Sequence, residues 1–370
     1  MKKHLWTIAA LLMGASLFTA CNDDDDPKKN LQGFEVIDGM LTVCSGNERA
    51  GIPGSLTLFD YEKEAATQNV FAKANGMSLG STANDALVYG TKLYVTVTNE
   101  NTLWVLDSKT FKAIKRIDTK ELVGNDTGLK PRRLCSYEGK VYVSTFGGVV
   151  AAIDTIAYER KDLYQAGSYP EGIIVHNGFL YVANSDYGNG KTPSISKINL
   201  KTNTATAIVG KDVINPQYFA VSGNELFFLD YGGYDAEYNQ HDNGIRRLND
   251  DDTMNRIVDA TAMTANDRFV YSYNNPYPTT KIAYNKYDTR NGSVTALALQ
   301  NIDSPAAIGI DLVKGWLYVA SLKKNPETGY ADYKAAGYVN IYDAAGNLHK
   351  TYDTGVGPTT FAFRTKLLFK

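Results

Sequence analysis

Pro131-Arg132…Gly139-Lys140-Val141-Tyr142-Val143, Pro170-Glu171…Asn177-Gly178-Phe179-Leu180-Tyr181-Val182 and Pro216-Gln217…Asn224-Glu225-Leu226-Phe227-Phe228 are three copies of one unit, and in each the central aromatic stands 11 positions after the proline. A turn residue opens the unit, an apolar strand follows, and a Gly- or Asn-containing turn leads into an aromatic-centred apolar triplet. Asn84…Lys92-Leu93-Tyr94-Val95 keeps the spacing with Ala83 in the proline's place; Pro305…Trp316-Leu317-Tyr318-Val319 and Phe269-Val270-Tyr271 anchor looser copies. Self-similarity at a fixed period marks a repeat architecture.

After each triplet come a loop and a third strand, such as Leu103–Asp107, Ile195–Asn199 or Tyr338–Asp343. A turn then leads into a fourth, expected over Lys109–Ile114 in one unit and Thr202–Ile208 in another. Short alternating strands between turn residues predict an all-β chain, and four strands per unit predict propeller blades. Units starting near residues 39, 83, 131, 169, 215, 260 and 304 give a seven-bladed β-propeller over residues 33–370, roughly 45 residues per blade. The first unit has no proline-led inner strand, whereas Gly357-Pro358-Thr359-Thr360-Phe361-Ala362-Phe363 supplies one with no blade after it. The ring is therefore expected to close between the N- and C-terminal strands, leaving no open sheet edge.

Ahead of the repeats the composition changes. Lys2 and Lys3, an apolar stretch from Thr7 to Phe18 and Thr19-Ala20 before Cys21 read as a leader over residues 1–20 with its cleavage site. The apolar stretch is too short to span about 30 Å of hydrocarbon. Cys21-Asn22-Asp23-Asp24-Asp25-Asp26-Pro27-Lys28-Lys29-Asn30 opens a polar, like-charged tether over residues 21–32 that cannot bury a core. Loss of the leader removes two lysines and takes the net charge from −2 to −4, with 36 basic against 40 acidic side chains. Nothing in that balance attracts nucleic acid. Cys44 and Cys135 fall on strands of different blades, so a disulfide between them is not expected, and both read as small buried hydrophobes.

Leu17-Phe18-Thr19-Ala20-Cys21 resembles a bacterial lipobox, which implies acylation of Cys21. The aspartate run behind it resembles the surface-export signal of Bacteroidetes lipoproteins. The repeats, with Val43-Cys44-Ser45-Gly46-Asn47, Gly54–Tyr61 and Asn75–Gly80 in the first blade, are similar to the YncE-like propellers of Bacteroidetes surface lipoproteins over essentially the whole mature chain. Here Cys44-Ser45 replaces the first half of the family's Asn-Glu-Gly-Asn string. The resemblance implies an outer-membrane protein facing the exterior, held to the membrane through its lipid alone. It further implies BtuG-type capture of cobalamin, as ligand rather than cofactor, for an outer-membrane transporter. A monomer is expected.

In a propeller the loops between second and third strands, with those entering each inner strand, share one face, and function concentrates in such loops. They are short in blades two and three, but longer in the first blade and the last four. The longer loops are rich in Tyr and Asn, which offer broad rings with one hydroxyl and paired amide donors and acceptors, a surface suited to a bulky neutral ligand. Candidate ligand contacts are Asn184, Asp186, Tyr187, Tyr231, Tyr234, Tyr273, Asn274 and Tyr277, with Arg132 and Gln217 at the channel mouth. Arg132 is open to two roles, a ligand hydrogen bond or an inter-blade salt bridge, while Arg133 reads as the structural one of the pair, because strand alternation should turn it away from the mouth.

No histidine pair has metal-ligand spacing, and neither a Gly-x-Ser-x-Gly elbow nor a phosphate loop occurs. Asn249-Asp250-Asp251-Asp252 reads as a hairpin tip between third and fourth strands rather than a calcium loop. No catalytic residue and no metal site are assigned. Two alternatives to cobalamin capture stay open: a glycan-binding or adhesive propeller, and a metal-dependent lactonase-like hydrolase whose ligands Glu48, Glu171, Asn184 and Asp230 would converge from separate blades.

Overall fold

The computed structural model describes residues 33–279 and 281–369. The leader, Cys21 and the acidic tether lie outside the described residues. Seven four-stranded antiparallel sheets are arranged with their inner strands side by side in a ring. The inner strands of blades two to seven are Ala83–Tyr89, Pro131–Tyr137, Pro170–His176, Pro216–Ser222, Ala262–Ala265 and Ser304–Ile310. Blade one takes its inner strand from the other terminus: Pro358–Phe369 pairs antiparallel with Gly33–Cys44, and the sheet continues through Ser55–Asp60 and Ala65–Thr67. Lys366 to Phe369, unplaced by the repeat, extend this pairing toward Gly33–Val36.

The aromatic triplet has a physical meaning in this ring. Successive strand residues point to opposite sheet faces, so the triplet's flanks pack on the preceding blade and its centre on the following one. Val141 and Val143 join Leu103 and Val105 of blade two, whereas Tyr142 joins Ile173, Leu180 and Val182 of blade four. Tyr181 likewise crosses to Leu226 and Phe228, Phe227 to Val270, and Tyr318 to Met40 and Phe59. Seven apolar clusters result, one at each seam between blades.

Two expectations shift. The fourth strand of blade two is Ala113–Asp118, not Lys109–Ile114. Asp107 accepts from the backbone of Lys109 and Thr110 and from the Thr110 hydroxyl, and Phe111 adopts φ 59°, so this stretch is a turn. The second shift concerns the mouth of the channel. Where inner strands enter, pairing slips by a residue between Ala83 and Asp85, Pro131 and Leu134, Pro170 and Ile173, Pro216 and Tyr218, and Pro305 and Ala307. Each slip is a β-bulge, which frees a residue from the ladder and re-aims its side chain. Alternation therefore fails at Arg133.

Cys44 and Cys135 are free and lie in blades one and three. Burial pushes the Cys44 thiol up to about 11 and raises Cys135 as well, which leaves both protonated and unreactive at neutral pH. The Asn249–Asp252 run is the turn between the third and fourth strands of blade five, with Asp252 held 2.6 Å from Lys197 of blade four.

Candidate functional site

The bulge residues set the floor of the loop face. Arg132 donates through Nε and Nη2 to both oxygens of Glu171, at 2.8 and 3.0 Å, and through Nη1 to Asn84 Oδ1 at 2.8 Å. One guanidinium thus ties blades two, three and four together, with Arg132 and Glu171 only 17% and 7% exposed. Of its two anticipated roles, the inter-blade bridge is the one observed. Carbonyls that the bulge removes from the ladder are satisfied by the neighbour, as buried backbone groups must be. Thr98 donates to Pro131, and Thr96 and Asn84 to Arg132.

Arg133 does not turn away. Its guanidinium donates to the Asn84 carbonyl and to the hydroxyl of Tyr218, over whose ring it also stacks. Tyr218 belongs to the inner strand of blade five, which is not a neighbour of blade three, so this contact crosses the central channel. Burial pushes the carboxyl of Asp85 up and the guanidinium of Arg133 down, while their opposite charges, 3.9 Å apart, resist both shifts.

Above this floor three rings meet. Phe146 lies 5.2 Å from Tyr169 and 5.9 Å from Tyr187, both edge-on, and Tyr169 and Tyr187 are 5.2 Å apart. Arg132 stacks beneath Phe146 at 4.7 Å. Tyr187 is 67% and Tyr169 37% exposed. The short blade-three loop brings Phe146 here because Gly147 passes so near Thr127 that a Cβ would lie 2.3 Å from its carbonyl oxygen. Asp186 and Tyr187 both adopt positive φ, 51° and 53°. Such backbone persists only where surroundings enforce it. Asp186 supplies the enforcement by accepting from the backbone of Lys191 and Thr192 and from the Thr192 hydroxyl. Burial pushes its carboxyl up, but these hydrogen bonds outweigh that and hold it below the usual range.

Of the expected contacts, Tyr187 is thus on the exposed surface with partners, and Tyr234 and Tyr277 are exposed farther round. Tyr234 sits on a small hairpin, Gly233–Tyr234 with Gln240–His241, which docks on the next blade through hydrogen bonds between Gln240 and the Tyr277 backbone. Gln217 donates through its amide nitrogen to Asn215, and its amide oxygen takes no hydrogen bond among the described residues. Tyr231 is half-buried against the seam of blades five and six. Asn274 accepts from Asn243.

Three expectations are corrected. Asn184 is fully buried, with its amide accepting from Gly167 and donating to Ser194 and Ser196. Asp186 is the buried staple just described, and Tyr273 is a core ring packed edge-on to Tyr284. Asx residues in a loop look alike in sequence whether they hold the loop or a ligand. Phe146 and Tyr169 were missed as site residues because no local pattern reports rings brought together from different connections.

The acidic and amide residues considered for a hydrolase are engaged separately. Glu171 is clamped by Arg132, Asn184 by serines, Glu48 accepts from Asn99, and buried Asp230 accepts from the backbone of Ile214, Asn215 and Gly232. Among the described residues no three His, Cys, Asp or Glu side chains gather as a metal-holding group.

A concavity lies where blades seven and one meet: a recess of about 620 Å³ lined by the first-blade loop from Ser45 to Arg49, by Ala306, Leu322 and Tyr333, and by Gly357, Pro358 and Thr359.

Residues 46–151, from the first-blade loop to the third strand of blade three, match the model of a family described as a domain of unknown function, DUF5074. No curated protein matches. Among solved structures the chain is similar to Kuenenia stuttgartiensis hydrazine synthase, at 14% identity over 78% of this chain and 95% of that one, with a TM-score of 0.56. A provisionally assigned 6-phosphogluconolactonase from Bacteroides uniformis ATCC 8492 is 12% identical over 88% and 100%, with a TM-score of 0.57. At such identities the likeness is one of fold, and this chain is a seven-bladed β-propeller with a DUF5074-like segment across its first three blades.

Proposed function

We propose that this propeller is a lipid-anchored surface protein that captures cobalamin on its loop face and passes it to an outer-membrane transporter. The observation that carries the binding is the ring cluster of exposed Tyr169 and Tyr187 with half-buried Phe146 on the rigid Arg132–Glu171 floor. Exposed rings held in place beforehand lose little freedom on binding, so ring contacts of about 0.5–1.5 kcal/mol each add up efficiently. A corrin ring offers apolar edges to tyrosine and amide arms to Gln217 and the loop asparagines. The lipobox-like segment before Cys21 and the aspartates behind it support the anchor and the outward orientation.

Calorimetric titration with cyanocobalamin tests the reading. Saturable heat is expected at micromolar protein, and Tyr187→Ala should weaken binding more than tenfold, about 1.4 kcal/mol. Tyr94→Ala removes a fully buried ring at the seam of blades two and three and should lower stability instead. Absence of heat with the parent protein overturns the cobalamin reading.

A glycan is the second reading, favoured by the same rings, since tyrosine faces stack on sugars as well as on corrin edges. Saturable heat with a polysaccharide and none with cyanocobalamin would select it.

A further inference from the structure

The residue after each strand-entry proline is turned toward the mouth by the bulge, and its size differs around the ring. In blades three, four and five it is Arg132, Glu171 or Gln217; in blades seven and one it is Ala306 or Thr359. Where Arg132 and Glu171 occupy the slot, the floor is filled by an inter-blade network. Where it is small, the floor drops into the recess. The recess is therefore built by a local choice of side chain and lies off the channel axis, opposite the ring cluster of blades three and four.

Its rim is organised. Asn47 donates through Nδ2 to the Tyr333 carbonyl at 2.9 Å, fixing the blade-seven loop to the blade-one loop across the opening. Glu48 also lines the recess, and its carboxylate accepts from Asn99 of blade two. Thr359 spends its hydroxyl on the Val43 carbonyl, and Ala306 and Leu322 contribute apolar wall. Arg49 is exposed at the rim and enters none of the ion pairs among the described residues. A guanidinium with its fork free beside a concavity is suited to bidentate recognition of an oxyanion.

We infer that the recess between blades seven and one seats an oxyanion arm of the ligand, a phosphate or a carboxylate, with Arg49 as its partner and the ligand body reaching across the mouth toward Phe146, Tyr169 and Tyr187. This rests on the reading of the loop face as a binding face. It adds that the ligand is anchored at two places on opposite sides of the axis and carries an anionic group, which in cobalamin is the phosphodiester.

Two variants of the full chain test it. Arg49→Gln removes the charge; Ala306→Phe fills the recess from its wall and leaves Arg49 in place. Melting temperature is followed as inorganic phosphate or acetate is added at constant ionic strength, since a ligand that binds only the folded state raises it. The expected result is a rise in the parent with at least one of the two anions, lost in both variants, whose melting temperatures without added anion match the parent's. The anion that acts identifies which arm the recess takes. A rise that persists in both variants, or no rise in the parent with either anion, overturns the inference. With cyanocobalamin, Ala306→Phe should weaken binding more than tenfold, and unchanged affinity also overturns it. If the parent binds no cyanocobalamin, the choice of ligand fails while the anion response, read separately, still decides the recess.

Discussion

Deleting Gly357–Lys370 is expected to collapse the whole ring rather than trim one strand from it. Pro358–Phe369 is the inner strand of blade one and pairs along Gly33–Cys44, so its loss leaves a row of backbone groups without partners. The loss reaches both neighbouring seams. Phe361 and Phe363 pack against the cluster that joins blades seven and one, and Ala362 belongs to the cluster shared by blades one and two. Arg364 goes too, and with it the partner of Asp38 at 2.7 Å. A closed ring has no spare seam over which to spread that damage. Circular dichroism on heating should show no cooperative transition in the truncated chain near the parent's, and a cooperative melt at the parent's temperature would contradict the closure.

Glu171→Ala should be the most costly single change on the loop face. It leaves the Arg132 guanidinium without its bidentate partner in a largely buried position that links three blades. Breaking a buried pair from one side costs about 3–5 kcal/mol; the residual exposure of Arg132 places the expectation at the lower end, about 3 kcal/mol. Replacing both partners by apolar residues, Arg132→Met with Glu171→Met, should cost much less than the sum of the single changes, because no uncompensated charge remains. Urea unfolding of the parent, Arg132→Met, Glu171→Met and the double variant gives the coupling directly. Additive effects would mean that the pair is a bystander and that the floor of the site is held by the seams alone.

Much of the fold was legible because the repeat encodes its own packing. The aromatic at the centre of Val141-Tyr142-Val143 must face one neighbouring blade and its flanks the other, so each triplet marks a second strand and a seam together. Blades two, three and seven begin at Ala83, Pro131 and Ser304, as the spacing predicts, and Pro170 and Pro216 lie one residue beyond the expected starts. The fourth strand of blade two was misplaced because Asp107 converts Lys109–Lys112 into a turn through side-chain hydrogen bonds that strand patterning does not register.

The site was less legible. A bulge has no signature that separates it from regular strand, and so Arg133, a structural residue expected to turn away from the mouth, crosses the channel to Tyr218. Asn184 and Asp186 have the composition of ligand contacts and the geometry of loop supports. The ring cluster depends on Phe146 from the shortest loop of the face, where loop length pointed elsewhere. The alternation of large and small slots, from Arg132 to Ala306, was present in the sequence, but its consequence, a recess on one side of the axis, requires the ring to be closed.

Hydrogen exchange with cyanocobalamin present and absent reports where on the ring a ligand rests without altering any residue. Added protection is expected in the loop from Ser45 to Gly54, around Phe146, Tyr169 and Tyr187, and around Tyr333, with none at the turns Gly90-Thr91, Glu138-Gly139 and Asn177-Gly178 on the opposite face. Protection confined to that opposite face, or no protection at saturating cyanocobalamin, would contradict cobalamin capture on the loop face.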